Sequence, residues 1–392
     1  MPARPFPPGF LWGTATSAHQ VEGGNWNSDW WAWEHTAGSP CQEPSGDACD
    51  HWHRYPEDLR LLAQLGFTAY RFSLEWARIE PEDGEFSLAA LDHYRRMCAT
   101  CLEHGLEAIV TLHHFTLPRW LAARGGFTDP ATSERFVRYA ARAARHLRGV
   151  VGRICTINEP NIVAAFGHQW GLFPPGLRDP EARRRADATL IAAHRGAVPA
   201  VKAALPGTPV GLCLSMTDYQ AEPGGEALRD AERALMEDQY LEAARGDDFI
   251  GVQTYTRMRF GPEGPLPPPQ GARLTMMPYE YWPQGLEATI RRAAALTQGI
   301  PILVTEHGIA TVDDTERIAF VGEGLRGLQR CLADGIDVRG YVYWSLLDNF
   351  EWIFGYQPTF GLVAVDRTTQ RRIPKPSATW LGAVARANAL GE

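Results

Sequence analysis

Two glutamates, Glu159 and Glu306, offer the most direct chemistry in this sequence. Each directly follows a β-rich run, with Asn158 beside the first and Arg71 and Tyr255 at the ends of other such runs. Two carboxyl groups facing each other across a sugar can cleave a glycosidic bond: one protonates the leaving oxygen and the other attacks or assists at the anomeric carbon. A glutamate at a strand end more commonly caps a helix or joins a surface ion pair, so the inference rests on the set. Gln20, His113, His114, Trp344, Glu351 and Trp352 occupy comparable positions, and together they make a polar, aromatic and carboxylate-rich group. Competing chemistries lack parts. The group holds no His-x-x-x-His spacing, no Gly-x-Ser-x-Gly elbow and no phosphate loop, which argues against metal hydrolysis, serine hydrolysis and phosphoryl transfer. Two carboxyls supply acid, base and nucleophile, so no metal and no organic cofactor is expected.

Such residues act together only if the fold gathers strand ends into one place. From Gly9 to Gly340 the chain alternates short β-rich runs with longer helical patterns, as βα units do. Eight runs read as strands: Phe10–Ala15, Ala69–Leu74, Ala108–His113, Ile154–Asn158, Val210–Leu214, Phe249–Gln253, Ile302–Thr305 and Gly340–Ser345. Between them, Pro56–Leu65, Glu134–Leu147, Thr189–Ala204 and Leu325–Ala333 carry apolar residues at helical spacing. The expected fold is α/β, a single (β/α)8 TIM barrel over residues 1–392, with function at the C-terminal strand ends. In a closed barrel of eight, the fourth and seventh strands point Glu159 and Glu306 into a common mouth. An open doubly wound sheet would need a Gly-rich phosphate fingerprint, which is missing. The Pro- and Gly-rich stretch Gly261–Gly271 is expected to be a long rim loop.

Composition narrows the partners. A net charge of −8 excludes a general nucleic-acid or anionic-membrane binder, because both need a basic face. The one basic run, Arg183 to Arg185, is flanked by Asp179, Glu181 and Asp187 and reads as a solvated helix face. No apolar run approaches a membrane span, and residues 1–10 are Pro-rich without an apolar signal core. Seven scattered cysteines fit reduced thiols, and the Cys98/Cys101 pair falls inside the helical pattern Leu91–His104 without a second pair to complete a zinc site. The expected location is cytoplasmic. The 13 tryptophans suggest stacking surfaces for flat ligands, although most should be core.

Four segments, in order, extend the reading. Residues 10–23 (FLWGTATSAHQVEG), 156–160 (TINEP), 305–308 (TEHG) and 344–352 (WSLLDNFEW) resemble the signatures of family 1 glycoside hydrolases, the β-glucosidase and β-galactosidase family of clan A barrels. The resemblance implies a retaining β-glycosidase with Glu306 as nucleophile, held ionised by Arg71 and oriented by Tyr255, and Glu159 as general acid/base. It further implies that Asn158 bonds the sugar 2-hydroxyl, that Gln20, His114, Glu351 and Trp352 read the other hydroxyls, and that Trp344 lies beneath the ring. Phe360 belongs to the same binding set. By analogy with the family, Trp170, Phe173 and Tyr279 border the aglycone. The implied partner is a small β-glycoside or oligosaccharide. A transglycosylating member and an inactive sugar-binding barrel are the alternatives.

Departures from the family pattern bear on specificity. Gln253-Thr254-Tyr255 replaces the usual Asn-Tyr-Tyr, His307 stands where Asn is usual, and residues 113–116 read HHFT where YHWD is common. Thr359 replaces a basic residue, and the chain looks short, chiefly between strands five and six. Glu351, Pro358 and Phe360 leave no anchor for a 6-phosphorylated sugar, and Glu159 argues for O-glycosides over thioglycosides.

Overall fold

The computed structural model describes residues 5–391, and at its centre eight parallel strands close into a ring in sequence order. They are β1 (Leu11–Ala15), β2 (Ala69–Ser73), β3 (Glu107–His113), β4 (Arg153–Asn158), β5 (Val210–Ser215), β6 (Phe249–Thr254), β7 (Ile302–His307) and β8 (Val338–Trp344). β8 closes on β1 with Leu11 opposite Gly340 and Ala15 opposite Trp344. The protein is a (β/α)8 TIM barrel. All eight expected strands are present with small shifts at their ends; β7 runs on to His307, so Glu306 is itself a strand residue.

Two layers of apolar packing hold the ring. Outward-facing residues such as Val110, Ile157, Leu212 and Val304 pack against the surrounding helices. The interior is filled by Ala15, Ala69, Ile109, Cys155, Cys213, Leu303 and Val342. Staves come close enough to require glycine: a Cβ on Gly251 would lie 2.7 Å from both Cys213 Sγ and Thr305 Oγ1. Small side chains inside leave room at the top for the buried Arg71 guanidinium.

Where the helices differ from expectation, the polar first turns explain it. The helix expected from Thr189 begins at Pro180, after the Asp179 side chain caps the Glu181 amide. The one expected over Leu325–Ala333 begins at Asp314, with Asp313 capping Thr315. Apolar periodicity does not mark a charged first turn. The Arg183–Arg185 run needs a related correction, because Arg183 is buried beside Asp187 and donates to Gln169 at 2.6 Å while Arg184 and Arg185 stay exposed. The Gly261–Gly271 expectation is also corrected in part: Gly264–Leu266 pairs antiparallel with Arg257–Gly261, which pairs parallel with Asp218–Ala221. These three short strands form a sheet beyond the ends of β5 and β6.

All seven cysteines are free, and Cys98 and Cys101 are buried in the helix Leu88–Glu103, where burial pushes the Cys98 thiol up to about 12. Among the described residues no helix is long and apolar enough to cross a membrane. Residues 1–4 of the Pro-rich start lie outside the described residues.

Two irregularities in the ring bear on the site. The β6–β7 register shifts between Val304 and Glu306, and the β4–β5 register shifts between Cys155 and Asn158. Bulges of this kind bend a strand and re-aim its side chains. Both fall at the strand ends that carry the two glutamates.

Candidate active site

Glu306 enters a cavity at the C-terminal end of the ring. Its Oε1 accepts Arg71 Nη1 at 2.6 Å and Gln253 Nε2 at 2.9 Å, and its Oε2 accepts the Tyr255 hydroxyl at 2.6 Å. Burial pushes the Glu306 carboxyl up, while Arg71 and then Tyr255 pull against that rise. Three donors make it the better home for a negative charge.

Glu159 lines the same cavity with a different environment. Its backbone is left-handed (φ 45°, ψ 58°), its N–H donates to the Cys213 carbonyl, and Pro160 opens the helix Pro160–Ala164 behind it. This conformation, uncommon for a residue with a side chain, marks the sharp step from strand to helix. Burial and then the charge of Glu306 push the Glu159 carboxyl up to about 8, against a hydrogen bond from the Ser215 side chain. Of these two carboxyls, Glu159 is therefore the one favoured to hold a proton at neutral pH and Glu306 the one favoured to carry charge. Such a pair can give a proton to a leaving oxygen and offer a nucleophile at once.

The remaining expected residues divide into wall and support. His114, Tyr255, Trp344, Glu351, Trp352 and Phe360 line the cavity, as do Phe173 and Tyr279. Trp344 lies near-parallel to the His114 ring, 22° apart at 5.9 Å between centroids, and Trp352 also stacks on His114. Burial, with Arg71 behind it, holds His114 well below its usual range, so its ring is neutral. Burial and then Glu306 push Glu351 up to about 8, against hydrogen bonds from the Trp344 and Gln20 side chains.

Gln20, Arg71 and Asn158 stand behind this wall. Gln20 Nε2 donates to the Phe350 carbonyl at 2.8 Å and more weakly to Glu351 Oε2 at 3.4 Å. Asn158 Oδ1 accepts from Arg71 Nη2 at 2.5 Å and Gln253 Nε2 at 2.8 Å. Its Nδ2 gives one proton to His114 Nε2 at 3.2 Å, leaving the second to donate elsewhere. Trp170 is set apart from the others. It lines a cleft adjoining the cavity and is 38% exposed.

The model of Glycosyl hydrolase family 1 matches residues 3–259 and 268–390. The chain belongs to this family. It is 36% identical to thermostable beta-glucosidase B of Thermobispora bispora over 440 aligned residues, covering 98% of this chain and 91% of that protein. Among solved structures it resembles beta-glycosidase BGL167, with a TM-score of 0.91, 49% identity and 99% of each chain covered. It also resembles the beta-glycosidase from Pyrococcus horikoshii, with a TM-score of 0.93, 33% identity, and coverage of 100% of this chain and 97% of that one. The protein is a family 1 glycoside hydrolase.

Within this family 1 enzyme the departures separate by strand alternation. Gln253 faces inward and takes a place in the network, its single amide nitrogen bridging Glu306 and Asn158. Its neighbour in type, His307, faces outward from β7: it bonds the Tyr341 hydroxyl at 2.8 Å and stacks on Phe320. That change belongs to barrel–helix packing. His113 likewise turns away and packs edge-on against Phe127. Thr359 bonds the Thr311 carbonyl at 2.9 Å. Ser215, at the end of β5, was not singled out from sequence; only its alternation with Leu214 on a β-rich run signals that it faces inward.

Proposed function

We propose that the protein is a retaining, exo-acting β-glycosidase that removes the terminal non-reducing β-D-glucosyl residue, or its galactosyl or fucosyl counterpart, from O-glycosides. The contrast between the carboxyls carries this reading: Glu306 is surrounded by three donors, and Glu159 is held protonated beside it. Glu306 attacks the anomeric carbon while Glu159 gives its proton to the glycosidic oxygen, and the aglycone leaves as an alcohol. The ester formed removes the charge on Glu306. Glu159 then loses one reason to stay protonated, so as a carboxylate it takes a proton from water as the water oxygen bonds the anomeric carbon and the ester breaks. Two inversions restore the β configuration.

The supporting side chains follow from their free hydrogen-bonding capacity. The second Asn158 Nδ2 proton suits the sugar 2-hydroxyl, a contact that tightens as the ring becomes oxocarbenium-like. Gln20, Glu351, Trp352 and His114 read the other hydroxyls, with Gln20 also donating to Glu351, and Trp344 and Phe360 bound the ring. Tyr279, Phe173 and Trp170 face the aglycone side. No cofactor takes part in this scheme. Seven unpaired thiols support a cytoplasmic location.

A panel of aryl β-glycosides, with the anomeric proton followed by NMR in the first minutes, tests the reading. The β-anomer should appear first. First appearance of the α-anomer, or no turnover of any glycone in the panel, would overturn it.

A further inference from the structure

Resting on the glycosidase reading, a second chamber bears on the aglycone. It adjoins the catalytic cavity, sharing Ile162, Phe166, Ser215, Tyr255 and Tyr279 with it, and contains none of the groups assigned to the sugar hydroxyls. A leaving group departing past Tyr255 therefore enters it. Its far wall is made by the short sheet beyond β5 and β6, and the family match breaks over residues 260–267, the part of that sheet that brings Leu266 to the wall.

Its lining is apolar and adaptable. Met216, Met236 and Met258 are three of the seven methionines in the sequence, and Trp170, Tyr219 and Leu266 add rings and an aliphatic surface. Methionine makes favourable sulfur–aromatic contacts and fits irregular shapes. The polar side chains present are already engaged. Arg257 lies 3.7 Å over the Trp282 ring and bonds Glu280 at 2.8 Å, Arg259 bonds Glu222 at 2.7 Å, and the Thr256 hydroxyl bonds the Glu280 carbonyl at 2.9 Å. Ser215 bonds Glu159, and Thr217 bonds the Tyr219 phenol. Glu232, half-buried with its carboxyl pushed up by burial, and the Tyr279 hydroxyl are left. A second sugar would bring more hydroxyls than these two groups can pair, and unpaired polar groups in an apolar site cost affinity.

We infer that this chamber receives the second ring of an aromatic aglycone in preference to a second sugar. The first ring lies between Tyr255 and Tyr279, and the second reaches the methionine-lined wall.

The test compares 4-phenylphenyl with phenyl β-glycosides of the preferred glycone, whose phenols are of similar acidity, and with cellobiose. The two-ring substrate should exceed the one-ring substrate about tenfold or more in kcat/KM, from apolar burial of the added ring, and cellobiose should be the poorest of the three. Leu266→Glu should lower that two-ring to one-ring ratio about fivefold or more; Met258→Glu, at a more exposed position on the same sheet, should lower it in the same direction. A ratio near one, cellobiose as the best substrate, or an unchanged ratio in both variants overturns the inference while the glycosidase reading stands. Turnover of no β-glycoside overturns both.

Discussion

The catalytic cavity and the chamber beside it are made in different ways. Arg71, Asn158, Gln253 and Glu306 come from β2, β4, β6 and β7, and each is fixed by hydrogen bonds to the others. The chamber is made largely from helices, loops and a small sheet beyond the strand ends, and its selectivity comes from apolar surface. Geometry set by the ring suits chemistry, where misplacement of about 1 Å costs roughly 100-fold. Surface carried on loops can change without disturbing that geometry. Substitutions in the first region should therefore alter rates for every substrate, and those in the second should alter rankings among aglycones.

The largest effect is expected at Glu306. Glu306→Gly should lower kcat by roughly 10⁴-fold or more, because no covalent intermediate forms. Added azide should restore turnover and yield the α-glycosyl azide, identified by NMR. A β-azide product would reverse the two assignments.

Glu159→Ala comes next, with a loss of roughly 10²–10⁴-fold on substrates whose leaving group needs a proton. Aryl glycosides with acidic phenols should keep their first step, and azide should give the β-adduct. The acid form of Glu159 is needed first, and its pKa is pushed up to about 8, so wild-type kcat/KM should fall as pH rises through about 8. That alkaline fall should be missing from the variant with an activated aryl substrate. Its persistence would assign the limb to another group.

Gln253→Leu removes a donor from both Glu306 and Asn158, and kcat/KM should drop roughly 10–100-fold for all glycosides alike. Gln253→Asn, with the amide usual in the family, should keep more activity than the Leu variant. Equal losses would reduce Gln253 to packing. Smaller changes belong to the rim, where Trp170→Ala, Phe173→Ala and Tyr279→Ala should each shift aglycone preference by roughly 2–10-fold with little effect on glycone ranking. An unchanged aglycone profile in all three would remove them from the aglycone side. EDTA should leave activity unaffected; a loss reversed only by a divalent ion would overturn the cofactor-free scheme.

The ring was legible in the sequence because β-rich runs and turn residues recur eight times, and the strand exits were legible because barrels place function there. Glu159, Glu306 and their relation to Arg71 and Tyr255 followed from that frame together with the family motifs. What was not legible depends on direction. Gln253 and His307 are both departures at strand ends, yet one joins the catalytic network and the other packs under a helix, and the register shift between Val304 and Glu306 determines which way neighbours in β7 point. The bonds from the Gln20 amide to Asn349, Phe350 and Glu351 depend on tertiary contacts that its sequence neighbours do not signal. The short strand Gly264–Leu266 lay hidden in a Pro- and Gly-rich stretch because a three-residue strand has too little periodicity to show.

The left-handed backbone at Glu159 has a consequence for how the protein ages under mutation. A glycine would accept that conformation freely, whereas a residue with a side chain gives up about 1–2 kcal/mol there, and burial of the carboxyl adds to the burden. The fold by itself would be better off without this glutamate. Glu159→Gly should raise the melting temperature while disabling the enzyme, and only selection for turnover keeps the residue in place. Glu306, braced by three donors in an extended strand, offers the fold no such relief. Lineages released from the need to hydrolyse should lose Glu159 first and Glu306 later.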